Sequence, residues 1–258
     1  LMAVISIITL FSSIVLVAIN NVRDNARIAG SKQFSSHVIG QLGDNLVSYW
    51  NFDSASNPGK DFWGSNDGTL IGGPTQVDGV IGKALSFNGM NDYVDVGNNS
   101  SVNITGNMTL AAWIKPTDFI APNALIVSKD YYPGNRGWHI RLSNNKITFL
   151  IAIDANNPVM FNASGIISAG IWTYVIGVYN GTDLKVYYNG VRQTGGTTAS
   201  VPQTQRNSSE KVNIGRMGSG NYFNGLIDEV YIYNAALTAQ EVQKIYAESA
   251  LRHGIAVK

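Results

Sequence analysis

The chain has no cysteine in its 258 residues. Disulfides, thiolate metal sites and a cysteine nucleophile are therefore excluded. Histidine is scarce, and His37, His139 and His253 stand far apart, which argues against a histidine-rich metal centre. Charge is thin as well: 14% of residues are Asp, Glu, Lys or Arg, against about 25% in an ordinary domain. Eighteen basic residues face 17 acidic ones, a net of +1. No basic surface is available to displace phosphate counterions, so nucleic acid is not an expected partner. Glutamate occurs at Glu210, Glu229, Glu241 and Glu248 and nowhere before them. Glycine and asparagine are plentiful, at 27 of each. Set between short apolar runs, they imply many tight turns and an all-β body rather than disorder.

Residues 1–19 carry no charge, and a helix of about 20 apolar residues spans a bilayer. A cleaved secretory signal would begin with basic residues and carry a shorter apolar core. A plain anchor, and a helix that waits in the membrane before packing against copies of itself, both fit better. Beyond Asn20, apolar Val22, Ala26, Ala29, Val38, Leu42 and Leu46 recur three or four apart, with Arg23, Asp24, Arg27 and Lys32 between them. That is one apolar stripe on a polar helix. No proline interrupts positions 1–57, so the pattern predicts one helix from Leu1 to about Gly43, about 65 Å long. Ala3, Ser6, Thr9, Ser13, Leu16 and Asn20 fall roughly on one face. The small or hydroxylated residues among them either let like helices approach closely or are satisfied by their own i−4 carbonyls.

Residues 1–45 resemble the N-terminal helix of a type IV pilin: an apolar run, then an amphipathic half containing arginine. The peptidase site and the glutamate that follows it in that family are not in this sequence; Leu1-Met2-Ala3-Val4-Ile5 would align just after them, so either the first residues of the mature chain precede Leu1 or this pilin lacks the glutamate. The resemblance implies a filament subunit that polymerises with itself through the six residues named above. It further implies residence in the inner membrane before assembly, and a prepilin peptidase and pilus assembly machinery as partners.

From Leu46 onward, short apolar runs alternate with clusters of Gly, Asn, Asp and Pro, as hairpins require. Strands are predicted at Leu46–Phe52, Lys83–Phe87, Tyr93–Val96, Met108–Lys115, Leu125–Ser128, Gly137–Leu142, Ile147–Ile153, Trp172–Tyr179, Leu184–Tyr188, Val212–Ile214 and Leu226–Tyr233. Many short strands without a long helical period imply an antiparallel sandwich. Thr238-Ala239-Gln240-Glu241 reads as a capping box that opens a short C-terminal helix. The expected fold is therefore mainly β: a long N-terminal helix over 1–45, then an antiparallel β-sandwich over 46–258 that ends in a short helix.

Tyr49-Trp50-Asn51-Phe52-Asp53, Gly82-Lys83-Ala84-Leu85-Ser86-Phe87, Ala112-Trp113-Ile114-Lys115-Pro116 and Gly225-Leu226-Ile227-Asp228-Glu229-Val230 resemble, in order and spacing, a laminin-G-like, concanavalin A-like jelly roll. The resemblance covers residues 46 to about 249. Glycosidases related to this fold place two carboxylates on one strand as Glu-x-Asp-x-Glu. With no glutamate before Glu210, and Asp228 and Glu229 adjacent and therefore divergent on a strand, that pair is missing. No enzymatic activity is expected. The resemblance also suggests a structural calcium shared by Asp53 and Asp228; the alternative is that Asp228 accepts backbone amides without a metal.

Sugar binding needs an accessible aromatic face beside convergent polar groups. Tyr131, Tyr132, Asn135 and Arg136 in one loop, and Tyr222 and Phe223 in another, have that composition. Trp63 is a third candidate, whereas Trp50, Trp113 and Trp172 fall in strand runs and read as core. Partial burial or subunit contact is the competing reading for each loop aromatic. Two functions follow. The first is an extracellular type IV pilus-like filament displaying a lectin-like head for surface attachment, with glycan as a further partner. The second is a membrane-anchored or minor-pilin carbohydrate-binding adhesin that is not the main filament subunit.

Overall fold

A strand with one apolar face must bury that face, and two such sheets bury theirs against each other. The computed structural model describes residues 43–218 and 220–253. In chain order the strands are β1 (Leu46–Trp50), β2 (Thr69–Ile71), β3 (Thr75–Asp78), β4 (Lys83–Asn88), β5 (Tyr93–Gly97), β6 (Met108–Pro116), β7 (Ala124–Tyr131) and β8 (Asn135–Ser143). They continue as β9 (Lys146–Ala152), β10 (Pro158–Ala163), β11 (Thr173–Tyr179), β12 (Leu184–Tyr188), β13 (Val191–Arg192), β14 (Gly195–Thr197), β15 (Val212–Ile214) and β16 (Asn224–Tyr233). One helix follows, α1 (Ala239–His253).

The first sheet runs β13-β12-β11-β6-β16-β4-β3, with β1 also paired to β16. The second runs β14-β10-β9-β8-β7-β15-β5-β2. Between them lies one core that includes Trp50, Phe87, Trp138, Phe149, Tyr179 and Phe223. Alternation sorts each strand: on β8, Trp138, Ile140 and Leu142 join the core, so Gly137, His139 and Arg141 face outward. All eleven strands expected from sequence are present, with ends moved by a few residues. The unanticipated β2, β3, β13 and β14 are short or sparsely apolar, and their neighbours recruit them through backbone pairing, while β10 alternates apolar Val159, Phe161 and Ala163 into the core.

The expected fold class needs correction at its start. Among the described residues the protein is an antiparallel sandwich with a single helix at the C-terminal end, and no long N-terminal helix is present. Gly43–Asn45 form a 3-10 turn, and from Leu46 the backbone pairs with β16. That pairing takes the residues that helical periodicity would have extended into, because Tyr49 and Trp50 must be buried from a strand. Ala3, Ser6, Thr9, Ser13, Leu16 and Asn20 lie outside the described residues. Among the described residues no helix is long and apolar enough to cross a membrane. Trp172 is also corrected: it precedes β11 and is half-buried, not core.

The C-terminal helix starts as the sequence indicates. Glu241 Oε2 accepts the Thr238 N–H at 2.7 Å, and Thr238 Oγ1 accepts the Glu241 N–H at 3.2 Å. The helix covers the outer face of the first sheet. Tyr246 packs against Trp113 and Tyr174, and Trp113 Nε1 donates to Ser249 Oγ at 3.2 Å. Trp113 is thus buried as expected, but beneath the helix rather than between the sheets.

Across the core, Phe149 of the second sheet packs on Gly177 of the first. A Cβ at Gly177 would stand 2.6 Å from the Phe149 ring. Gly177→Ala should therefore destabilise the fold by about 1–3 kcal/mol through overpacking, read as a lower midpoint in thermal or urea unfolding. Phe149→Leu in the same background should recover part of the loss.

Candidate functional site

With the first sheet's outer face covered, the outer face of the second is where polar side chains gather. In the middle of that sheet the β7–β8 hairpin carries four of the sequence candidates. Tyr132 is 60% exposed and Tyr131 37%, and the Arg136 guanidinium sits 5.3 Å from the centre of the Tyr132 ring. Asn135 braces the hairpin: its Nδ2 donates to Glu210 Oε1 at 2.8 Å and Ser209 Oγ at 3.0 Å. Its Oδ1 accepts from Arg206 Nη1 at 3.0 Å. Gly218 leaves room for Tyr131, since a Cβ there would lie 3.0 Å from the Tyr131 ring.

From the hairpin a line of charge runs along β8. Asp130 is buried. Its Oδ1 accepts the Gly137 N–H at 2.9 Å, and its Oδ2 lies 2.8 Å from His139 Nδ1 and 3.3 Å from Arg136 Nη1. Burial raises the Asp130 pKa, but the His139 hydrogen bond and charge, Arg136 and the Gly137 amide together hold it below its usual value. Burial pushes His139 down, and nearby Arg141 and Arg136 add to that, outweighing Asp130. The imidazole is accordingly neutral at pH near 7, with Nδ1–H donating to Asp130 and Nε2 buried without a hydrogen-bond partner. Two residues on and on the same face, Arg141 is half-buried, pairs across the strands with Thr148, and through it with Asn162. A turn after β15 folds over part of this face: Ser128 Oγ donates to the Arg216 carbonyl at 2.6 Å, and Asp130 O accepts the Gly218 N–H at 3.2 Å.

The remaining candidates separate. Tyr222 belongs to a second cluster with Tyr93, whose ring carries the Arg216 guanidinium at 3.8 Å. Phe223 is wholly buried in the core and cannot touch a sugar, whereas the preceding Tyr222 is half-buried. Trp63 is partly exposed, and its Nε1 donates to the Leu46 carbonyl at 2.6 Å, pinning the start of β1.

Asp53 and Asp228 do converge on the turn between β3 and β4, but as acceptors of amides. Lys83 N–H donates to Asp53 Oδ1 at 2.6 Å, and Val80 and Ile81 N–H donate to Asp228 Oδ2 at 2.9 and 3.2 Å. The other Asp228 oxygen accepts the Glu229 N–H at 2.7 Å. Both Asp228 oxygens and Asp53 Oδ1 thus accept backbone amides, the arrangement the sequence left as the alternative to a shared calcium. Among the described residues no cluster of three or more His, Asp or Glu forms a metal centre.

Ser128, His139 and Asp130 have the residue types of a hydrolytic triad, yet no Ser–His hydrogen bond links them: Ser128 donates to a carbonyl and His139 Nε2 has no hydrogen-bond partner. Sequence reading missed Asp130, His139, Arg141, Tyr93 and Arg216. The available signal was polar His139 and Arg141 alternating with Trp138, Ile140 and Leu142.

The unfolded chain binds a proton on histidine near pH about 6.5, whereas the folded His139 resists it. Stability from this group is full above that pH and falls as pH drops through it toward the lower folded value. Between about pH 7 and about pH 5 the melting temperature of the protein should fall more steeply than that of His139→Gln. Parallel slopes would mean that the folded imidazole takes up the proton freely.

No curated protein matches the chain. Among solved structures, the binding domain of Paraclostridial Mosquitocidal Protein 1 is 24% identical, with a TM-score of 0.63 over 80% of this chain and 52% of that one. Domain 4 of AbnA, a GH43 extracellular arabinanase from Geobacillus stearothermophilus solved with arabinotriose, is 23% identical, with a TM-score of 0.59 over 78% and 98%. Botulinum neurotoxin type C, in a structure described by the dependence of its cell entry on two ganglioside molecules, is 16% identical, with a TM-score of 0.63 over 82% and 53%. The chain thus spans about half the length of the two toxin structures. These likenesses establish the fold. None of the three is a pilin, and the filament-subunit expectation has no support from them. The family model of the concanavalin A-like lectin/glucanases superfamily matches residues 88–243; the chain belongs to that superfamily.

Proposed function

We propose that the sandwich is a non-catalytic carbohydrate-binding module, working outside the cell as an adhesin and gripping glycan at the β7–β8 hairpin. The observation that carries this reading is the Tyr132 ring, 60% exposed and held beside an ordered network of Asn135, Arg136, Arg206 and Glu210. Aromatic faces take the C–H side of a sugar, and the half-buried Arg206 and Glu210 that Asn135 holds beside the ring would take its hydroxyls. Membership of a lectin-containing superfamily, and the arabinotriose bound to the similar arabinanase domain, support the same class of ligand. Against catalysis, Glu229 is buried and accepts the hydroxyls of Tyr49 and Tyr231 at 2.7 and 2.6 Å, and Asp228 is consumed by backbone amides. The apolar run 1–19 would tether the module to a membrane.

A glycan array followed by calorimetry on the best ligand tests the reading. Tyr132→Ala should weaken binding by about tenfold or more, the loss of about 1.4 kcal/mol, with the melting temperature little changed. Absence of any glycan ligand, or wild-type affinity in the variant, would overturn it.

A further inference from the structure

We infer that the glycan this face takes is an acidic one, with a sugar carboxylate seated on Arg141. The inference rests on the carbohydrate reading and names the ligand class of the same face.

The argument is one of charge balance in a half-buried place. Along β8 from the hairpin, Arg136 and Arg141 supply two positive charges, His139 none, and Asp130 a single negative one. Asp130 is already shared by Arg136, His139 and the Gly137 amide. Among the described residues no ion pair reaches Arg141. Its contact is Nη2 to Met160 Sδ at 3.6 Å, a weak acceptor, and its Nε is buried with no hydrogen-bond partner. Burial and the like charge of Arg136 disfavour its protonated state, and Asp130, already shared, only partly offsets them, yet a guanidinium does not give up its proton in a protein. A half-buried cation with no ion pair among the described residues is costly, and an incoming anion reduces the cost.

The shape of the site selects the anion. The planar guanidinium fork matches a carboxylate through two parallel hydrogen bonds. Beside it in the same cross-strand row, Thr148 Oγ1 is 3.0 Å from Asn162 Oδ1, and Asn162 is exposed. Its amide N–H groups can therefore serve the ring hydroxyls that accompany a sugar carboxylate. An oligosaccharide laid along β8 from the hairpin would touch both the Tyr132 ring and the Arg141 fork. Uronic acid residues have this combination of an apolar ring face, hydroxyls and a carboxylate.

The experiment compares an oligogalacturonate with its carboxyl-reduced, neutral counterpart by calorimetry at low and at raised salt. The full chain should prefer the acidic form by about tenfold or more, and added salt should narrow the gap. Arg141→Gln should bring the ratio to about one, and Arg141→Lys should recover part of it, because a point charge lacks the fork. Tyr132→Ala should weaken both ligands alike. Equal binding of the two by the wild type overturns the acidic assignment and leaves the carbohydrate reading standing. A preference that survives in Arg141→Gln moves the carboxylate off Arg141 and overturns the site. Binding of neither oligosaccharide, together with an empty glycan array, overturns both readings. Should Arg141→Gln fail to melt cooperatively, the Arg141→Lys ratio and the wild-type salt dependence decide in its place.

Discussion

Strand β16 holds the first sheet together, and its weak point is its middle. One edge of the strand bonds β4 through Asn224–Ile227 and β1 through Val230–Tyr233. Between these partners the ladder on the other edge slips as well, and Glu229 takes a left-handed φ of +50°. Asp228 closes the gap. Its two oxygens collect the amides of Val80, Ile81 and Glu229, which would otherwise be buried unpaired. The turn can come that close because residue 79 is glycine: a Cβ there would stand 2.5 Å from the Asp228 carboxylate. Burial and the adjacent Glu229 raise the Asp228 pKa, and the amides pull it back. Glu229, held by two tyrosine hydroxyls, fixes the other side of the break. Two adjacent acids that might be taken for a catalytic pair therefore serve the architecture.

The rest of the molecule is arranged by which face each sheet spends on packing. The first sheet buries both faces, one against the second sheet and the other beneath α1 and its stack of Trp113, Tyr174 and Tyr246. The second sheet buries one. Its outer face is left with charged and polar residues, which a turn carrying Arg216 covers in part. Side chains there have lost much of their water without gaining full sets of partners: His139 Nε2, the Nε atoms of Arg136, Arg141 and Arg216, and Asn213 Oδ1 are buried with no hydrogen bond. Buried polar atoms are normally satisfied. Among the described residues, five of these exceptions belong to this one region, near the exposed Tyr131 and Tyr132.

Much of this was legible beforehand and some was not, for identifiable reasons. The strands with a continuous apolar run, such as Met108–Pro116 and Thr173–Tyr179, could be placed because burial on both faces demands such runs. The Tyr131–Arg136 hairpin could be picked out because aromatic and polar residues were adjacent in sequence. The Asp130–His139–Arg136 cluster could not, because Asp130 and His139 lie nine residues apart on opposite arms of a hairpin whose register is fixed by bulges at both ends of β7. Phe223 was misread for a related cause. Between Tyr222 and Asn224 it has the composition of a loop, yet the chain re-enters the sandwich at that residue.

What the amino-acid order determined alone was local and periodic: the absence of cysteine chemistry, the alternating strands, the turn residues, and the Thr238–Glu241 cap at the start of α1. Each depends on residues a few positions apart, so spacing is enough to read it. The tertiary structure alone decided which carboxylates were consumed by backbone amides, which outer face was covered, and that no described residue would form an ion pair with Arg141. Those outcomes depend on contacts between residues as far apart as Val80 and Asp228, and no pattern of spacing along the chain encodes a distance across it.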